Sequence, residues 1–335
     1  MRSVESQLST YLAPRLGADD GVVISNMLRI PGGASRETWM FDASWRANGE
    51  ACSEPFVLRK DPPASLVESE REVEYAFYRA FEGTAVPVPR MRWLELGSQA
   101  LGAPFFIMER ITVGETNVQN LAAGPQYAAS RVMIGRRMYE VLAGIHTADW
   151  SGTDVPKVVK VPTPETCWSD ALDYWEEMID RNEISPQPIA RAAIRWLRAN
   201  PPPPAQRVSA VHGDYRVGNF LYSTDGIHGV LDWEMAHLGD PIEDVAWAMH
   251  QVWHRDMISR DECIAVYERA SGLKVIPEAL HWWDVFSGVK AQGIWLTGAK
   301  SFNDGRTSEL ILAYASYLLM NRTDEAMLQS LGRGV

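Results

Sequence analysis

Between residues 211 and 234 the chain reads VHGDYRVGNFLYSTDGIHGVLDWE and places His212, Asp214, Asn219, Asp232 and Glu234 within two dozen positions. Carboxylates and amides gathered in this way coordinate a cation, accept a proton, or do both. Asp214 and Asn219 stand five apart on a loop with Gly213 and Gly218, which can aim both side chains into one space. Asp232 follows an apolar strand, at a point where a side chain can leave the core. A carboxylate that accepts a hydroxyl proton, with an amide and a second carboxylate that hold Mg2+ on nucleotide phosphates, is the set that phosphoryl transfer uses. Taken alone, each Asp and Asn is also an ordinary turn or cap residue.

Several neighbours read differently. His212 is expected to pack behind the loop rather than act as an acid or base. Glu234 either backs a bound ion from a distance or holds the residues around Trp233. Asp240 and Asp244 read as cap and buttress. His250 and His254 lie one helical turn apart with no third ligand in sight, so a partly exposed pair is expected, not a metal site.

The elements that must position these groups fall into two halves. The first is β-rich. ETWMFDASW and EPFVLRK flank an Asn-Gly, the strongest hairpin signal in the chain. MRWLEL and PFFIMER form a second hairpin. Between the pairs, SLVESEREVEYAFYRAFEG reads as one helix with Leu66, Val73, Phe77 and Phe81 on a face and Gly83 at its end. After Arg110 helices dominate, at 127–148, 167–181, 259–271, 277–296 and 307–320. ANPPPPAQ is a stiff linker. In GDPIEDVAWAMHQVW, Asp240 is the expected N-cap, Pro241 the N1 residue and Glu243 the partner in a capping box.

The bulk properties exclude other classes. At 335 residues the chain exceeds what one core usually serves. A net charge of -11 argues against a nucleic-acid backbone binder. Three scattered cysteines make no disulfide framework and fit a reducing cytoplasm. No signal peptide and no membrane-spanning run is expected. A G-x-S-x-G hydrolase elbow is absent, as are the D-F-G and A-P-E stretches of protein kinases.

The spacing H-x-D-x-x-x-x-N matches the kinase catalytic loop, with Gly in place of Arg. With VLDWEMAHLGDPIEDVAW and PFFIMERITVGE, the sequence resembles the aminoglycoside phosphotransferase and choline kinase-like superfamily, closest to the branch fused to acyl-CoA dehydrogenases. The resemblance implies an α+β, two-lobe protein-kinase-like fold, with residues 1–110 as the nucleotide lobe and 111–335 as the catalytic and acceptor lobe. It implies ATP or GTP with Mg2+, Asp214 as base, and Asn219 and Asp232 as Mg2+ ligands. Gly32, Gly33 and Ser35 would cover the phosphates through backbone N–H groups. Arg59 would contact the phosphates, oriented by Glu74 or, as second choice, Glu72. Lys60, on the opposite strand face, would not reach the cleft. Met108, Glu109 and Ile111 would meet the adenine edge.

These readings make the chain a small-molecule O-phosphotransferase with a hydroxyl acceptor and no nucleic-acid or membrane partner, acting as a monomer or homodimer. A catalytically silent nucleotide-binding scaffold is the alternative of another class. The acceptor reading turns on CWSDALDYWEEMID. Trp168, Leu172, Trp175 and Ile179 share one face, and Asp170, Asp173, Glu177 and Asp180 form an acidic stripe. A stripe bordering the cleft would attract a polycationic aminoglycoside. A solvated stripe would leave aromatic residues, among Trp168, Trp175, Trp282, Trp283 and Trp295, to select a neutral or acidic hydroxyl compound. The second reading is preferred, with an antibiotic kinase as its alternative.

Overall fold

The computed structural model describes residues 3–30, 37–61, 71–250, 257–307 and 310–332. Helix α1 (Val4–Leu12) opens the chain, with Ser3 as its N-cap. A five-stranded antiparallel sheet follows, built from β1 (Val22–Arg29), β2 (Glu37–Ala47), β3 (Glu50–Lys60), β4 (Met91–Glu95) and β5 (Phe105–Glu109) in the order β1-β2-β3-β5-β4. Asn48 and Gly49 have φ of 52° and 80° and close the β2–β3 hairpin. Positive φ at both central residues matches the right-handed strand twist, which is why Asn-Gly is favoured there. Leu8 and Leu12 of α1 cover Phe41, Phe56, Leu58 and Phe105 on one sheet face. The sequence reading did not extend to this helix.

Helix α2 (Arg71–Phe81) lies between the two hairpins in sequence, and Gly83 beyond it takes φ 75°. Leu66, expected on its apolar face, lies outside the described residues. Phe77 and Phe81 stack on Trp233 with ring centroids 6.2 and 4.7 Å apart. The helix of the sheet lobe is thereby packed on the residue that follows Asp232.

The rest is mostly helical: α3 (Val118–Ala123), α4 (Arg131–Thr147), α5 (Val155–Val158), α6 (Cys167–Asn182), α7 (Pro188–Ala199), α8 (Ile242–Ala248), α9 (Arg260–Ser271), α10 (Pro277–Asn303) and α11 (Leu310–Ser330). Two small ladders interrupt it. β6 (Ser209–Val211) pairs with β9 (His237–Gly239), and β7 (Phe220–Ser223) pairs with β8 (Gly226–Val230). The chain is thus an α+β, two-lobe, kinase-like fold. Among the described residues no helix is long and apolar enough to cross a membrane.

Three boundaries depart from expectation. α4 starts at Arg131, not at residue 127, because Tyr127 is tied elsewhere: its hydroxyl donates to Glu115 at 2.7 Å and its ring packs on Tyr222. α10 and α11 run well past residues 296 and 320. α7 was not anticipated, although Ala190, Ala193, Ile194 and Leu197 recur at helical spacing and are buried.

Trp233 is fully buried and touches both lobes. Trp233→Ala is expected to cost about 3–5 kcal/mol, as large aromatic truncations in cores do. Urea denaturation of the two proteins measures this; a loss below about 1 kcal/mol would contradict a shared core at this ring.

Candidate active site

The loop after β6 is held from behind. His212 is fully buried. Its Nδ1 accepts the Asp214 N–H at 3.1 Å, which puts the ring proton on Nε2, 2.9 Å from the Leu231 carbonyl it donates to. Burial lowers the ring's pKa, against the pull of the nearby Asp244 and Asp214 charges. His212 therefore packs and bridges as a neutral ring. Asp244 accepts the backbone N–H of His212 at 2.6 Å and of Gly213 at 2.9 Å, and faces His146 Nε2 at 3.2 Å. Burial alone would raise this carboxyl; its hydrogen bond to His146 and the positive electrostatic surroundings, Lys290 among them, outweigh burial and lower the pKa to about 2. Gly213 has φ 82°, and a Cβ there would run into the Met235 carbonyl. Only glycine fits this turn.

Asp214 is 15% exposed at its side chain. Its Oδ1 accepts from Trp247 Nε1 at 2.8 Å and Arg216 Nε at 3.0 Å, and its Oδ2 accepts from Asn219 Nδ2 at 2.6 Å. With its amide nitrogen committed to Asp214, Asn219 turns its Oδ1 the other way. The Asn219 carbonyl accepts the Leu231 N–H at 2.7 Å, which sets Asp232 one residue beyond. Asp232 takes φ 66° and ψ 57°, the left-handed region that non-glycine residues seldom enter. Its N–H donates to the Tyr78 hydroxyl at 3.0 Å. Burial raises the Asp232 carboxyl, but the charge and hydrogen bond of Arg59 more than offset it, so its pKa is lowered.

Arg59 joins the lobes. Its side chain is 9% exposed; Nη1 lies 2.9 Å from Glu74 Oε1 and Nη2 lies 2.9 Å from Asp232 Oδ1. Glu234 stands 3.7 Å from the same nitrogen. The Glu74 contact is an ion pair outside hydrogen-bond alignment. Burial lowers the pKa of a guanidinium, yet Glu74 and Asp232 hold that of Arg59 well above its usual value. Lys60 points to the other face, 3.5 Å from Glu37. Strand alternation thus separates the two cations, and Glu74, not the exposed Glu72, faces Arg59.

Other expected residues fare unevenly. Met108 pairs with Val57, two residues before Arg59 on the neighbouring strand. The Glu109 N–H donates to Arg90 at 2.9 Å and the Arg110 N–H to Pro55 at 3.0 Å, so neither is available to a base edge. The Glu109 carboxylate pairs with Arg92 at 2.7 Å. This narrows the donors expected between Glu109 and Ile111 to the Ile111 N–H. Gly32, Gly33 and Ser35 lie outside the described residues, as does His254. His250 is buried, not exposed; burial lowers its pKa to about 4. The capping box does not form. Asp240 Oδ1 does accept the Ile242 N–H at 2.9 Å, but Glu243 turns to Lys290 at 2.8 Å and His237 at 3.0 Å.

A cavity of about 430 Å3 opens beside this machinery. Val73, Val158, Tyr174, Trp175 and Leu238 give it apolar walls, while Glu234 and Lys290 also face it. Of the five tryptophans considered for the acceptor, Trp175 lines the cavity. Trp282 and Trp283 are core residues, Trp168 packs edge-on against Trp282, and Trp295 donates to Thr323. The acidic stripe of α6 is largely neutralised. Asp173 pairs with Arg198 at 2.7 Å, Glu177 with Arg181 at 2.5 Å, Asp180 with Arg191 at 2.5 Å, and Asp170 with Lys160 at 2.8 Å. Of the four, Asp170 faces the cavity. Arg216, Trp247 and Lys290 escaped the sequence reading. Only Trp247 left a signal, its three-residue spacing from Asp244 on one helix.

Comparison with known proteins gives a consistent picture. The profile of the phosphotransferase enzyme family, APH, matches residues 27–284. Acyl-CoA dehydrogenase family member 10 of Mus musculus is 30% identical over 203 residues, 57% of this chain and 18% of that protein. Acyl-CoA dehydrogenase family member 11 of Rattus norvegicus is 24% identical over 334 residues, 91% of this chain and 41% of that protein. The chain thus spans less than half the length of these curated relatives. A crystal structure of a candidate aminoglycoside phosphotransferase from Ralstonia eutropha JMP134 superposes with a TM-score of 0.74 at 21% identity, covering 99% of each chain. A variant of the aminoglycoside phosphotransferase APH(4)-Ia, in ternary complex with ADP and hygromycin B, gives 0.61 at 18% identity over 98% of this chain and 100% of that one. These structures share the fold.

The depressed Asp244 carboxyl makes a stability prediction. A lowered folded-state pKa stabilises above the unfolded value, and that stability is lost as pH falls through the folded value. The span from 3.8 to about 2 corresponds to about 2 kcal/mol at pH 7. Asp244→Asn should lose about that much at pH 7, and the gap to the wild type should shrink by about half at pH 3. Urea midpoints at the two pH values measure it; an equal gap at both would contradict the charge-based account.

Proposed function

The chain belongs to the phosphotransferase enzyme family, and from that premise we propose that it moves the γ-phosphoryl group of ATP or GTP to a hydroxyl of a small molecule. The observation that carries this reading is a chain of contacts: Asp214 accepts from Asn219, the Asn219 carbonyl holds Leu231 beside Asp232, and Asp232 and Glu74 both pair with Arg59. A carboxylate base, two oxygen ligands and an oriented cation are what phosphoryl transfer asks of a protein.

In this reading residues 1–110 clamp the nucleotide and the remainder supplies the chemistry. Asp214 accepts the proton of the acceptor hydroxyl and orients its oxygen. The Asn219 amide oxygen and the Asp232 carboxylate are hard donors that suit Mg2+. Among the described residues no group of three His, Cys, Asp or Glu could hold a metal by itself. Two oxygen donors, Asn219 and Asp232, would leave the remaining positions of such an ion to phosphates and water. Bound there, Mg2+ would neutralise phosphate charge. Arg59 keeps Glu74 and turns its second nitrogen from Asp232 to phosphate oxygens. Gly32, Gly33 and Ser35 close over the phosphates, and the Ile111 N–H meets the base edge.

For the acceptor, the neutralised stripe of α6 removes the main attraction for a polycation. The apolar cavity beside Glu234 suits the body of a neutral or acidic hydroxyl compound, such as a hydroxy acid, its CoA thioester, or a macrolide. The acyl-CoA dehydrogenase names of the relatives agree with the acyl alternative. We bet against an aminoglycoside.

The direct test is a nucleotide-consumption screen over hydroxylated metabolites and antibiotics, with mass detection of a phosphorylated product. For the best acceptor, Asp214→Asn should lower turnover by about 10²–10⁴-fold with little change in nucleotide affinity. Near wild-type turnover at saturating substrate would remove Asp214 from this role. Robust phosphorylation of kanamycin-like compounds, lost in Asp173→Asn with Glu177→Gln, would overturn the acceptor reading.

A further inference from the structure

We infer that Trp247 is the positioning residue of Asp214: its indole N–H sets the plane of the carboxylate, and α8 thereby grips the catalytic loop twice. The inference rests on the reading of Asp214 as base, and its test separates the two.

Among the described residues three side chains donate to Asp214. Arg216 and Asn219 belong to its own loop and move with it. Trp247 does not. It lies 33 positions away and reaches Oδ1 at 2.8 Å from α8. The same helix carries Asp244, which receives the backbone N–H groups of His212 and Gly213. Asp244 and Trp247 are three apart, so they share one helix face. One side chain fixes the loop backbone and the other fixes the carboxylate that the loop presents.

The indole is itself held. Trp247 is fully buried. His250 stacks on it with a centroid distance of 6.0 Å and an interplanar angle of 21°. The Lys290 ammonium stands 4.9 Å from its ring centroid, and Glu243 holds that ammonium at 2.8 Å. A buried cation over an indole face is favourable because the ring quadrupole is negative there. Glu243 also comes from α8, so the helix fixes the loop, the indole and the cation together. A buried tryptophan needs some acceptor for its N–H, and any backbone carbonyl would serve packing alone. Here the acceptor is the carboxylate that the reaction needs oriented. With Oδ1 held by Trp247 and Oδ2 by Asn219, the carboxylate cannot rotate, and the lone pairs left over point in set directions.

The test is a double-mutant cycle on turnover, with MgATP and water as the probe reaction and the best acceptor from the screen as the second. Trp247→Phe keeps an aromatic ring but removes the N–H together with the pyrrole half of the buried indole, so the double-mutant cycle, not the single variant, isolates the hold on Asp214. The single variant should lower turnover about 10–100-fold, the scale of a misplaced reacting group, with the nucleotide KM unchanged within about two-fold. In an Asp214→Asn background the same change should have less than about a two-fold effect, because the two side chains act as a unit. Wild-type turnover in Trp247→Phe, or an equal loss in both backgrounds, would overturn the inference. A second measurement needs neither activity nor a folded Trp247 variant. In the indole 1H–15N spectrum of the assigned full chain, Asp214→Asn should shift the Trp247 signal more than any of the other twelve tryptophan signals. A stationary Trp247 signal would overturn the inference. If no reaction is found but the signal moves, the phosphotransferase reading fails while the hold on Asp214 stands.

Discussion

Arg59 is a cation with almost no water, and the arrangement around it follows from that. A buried guanidinium is costly unless carboxylates surround it, and removing one partner leaves the other charge stranded. Glu74 comes from α2, Asp232 and Glu234 from the segment after β8, and Arg59 from β3. Satisfying the one charge therefore fixes a strand, a helix and the segment after β8 relative to one another. Trp233 supplies the apolar counterpart, with Phe77, Phe81 and His212 around its ring. The polar and apolar contacts alternate along three successive residues. This explains how Asp232 can be held at φ 66°. Strain of that kind persists only where the surroundings over-determine it.

A second buried charge organises the loop. Asp244 takes two backbone N–H groups that would otherwise be unsatisfied, and an amide left buried without a partner costs about as much as a lost hydrogen bond. The turn at Gly213 brings both N–H groups to one carboxylate and presses the loop on Met235. The backbone of positions 212 and 213 is thus set from behind by Asp244. The side chains of Asp214 and Asn219 point out of a frame built behind them.

Much of this was legible in the sequence because it is local. Asn48-Gly49 closes a hairpin through its own φ preferences. Alternation along FVLRK separates Arg59 from Lys60, and the spacing of Phe77 and Phe81 sets the phase of α2, which places Glu74 inward. Most of what escaped depends on partners far away in the chain. Glu243 reads as a capping-box residue, but Lys290, 47 positions on, and His237 take its carboxylate. Glu109 reads as a residue at the adenine edge, but Arg90, 19 positions back, takes its N–H. His250 reads as partly exposed although its stacking partner Trp247 is only three residues away, a local signal the reading did not use. The acidic stripe of α6 reads as a solvated face, but its partners were not legible: Arg191 and Arg198 on α7, a helix the reading missed, pair with Asp180 and Asp173.

In the proposed function Asp232 would hold Mg2+ and Arg59 phosphate oxygens, so the 2.9 Å pair between them would part on nucleotide binding. The most direct measurement is a crystal structure of the full chain with Mg2+ and a non-hydrolysable ATP analogue. The account predicts the metal between Asn219 Oδ1 and Asp232, with Arg59 still on Glu74 but turned from Asp232 to phosphate oxygens. A metal and phosphates bound away from both Asn219 and Asp232, with the Arg59–Asp232 pair intact, would contradict it.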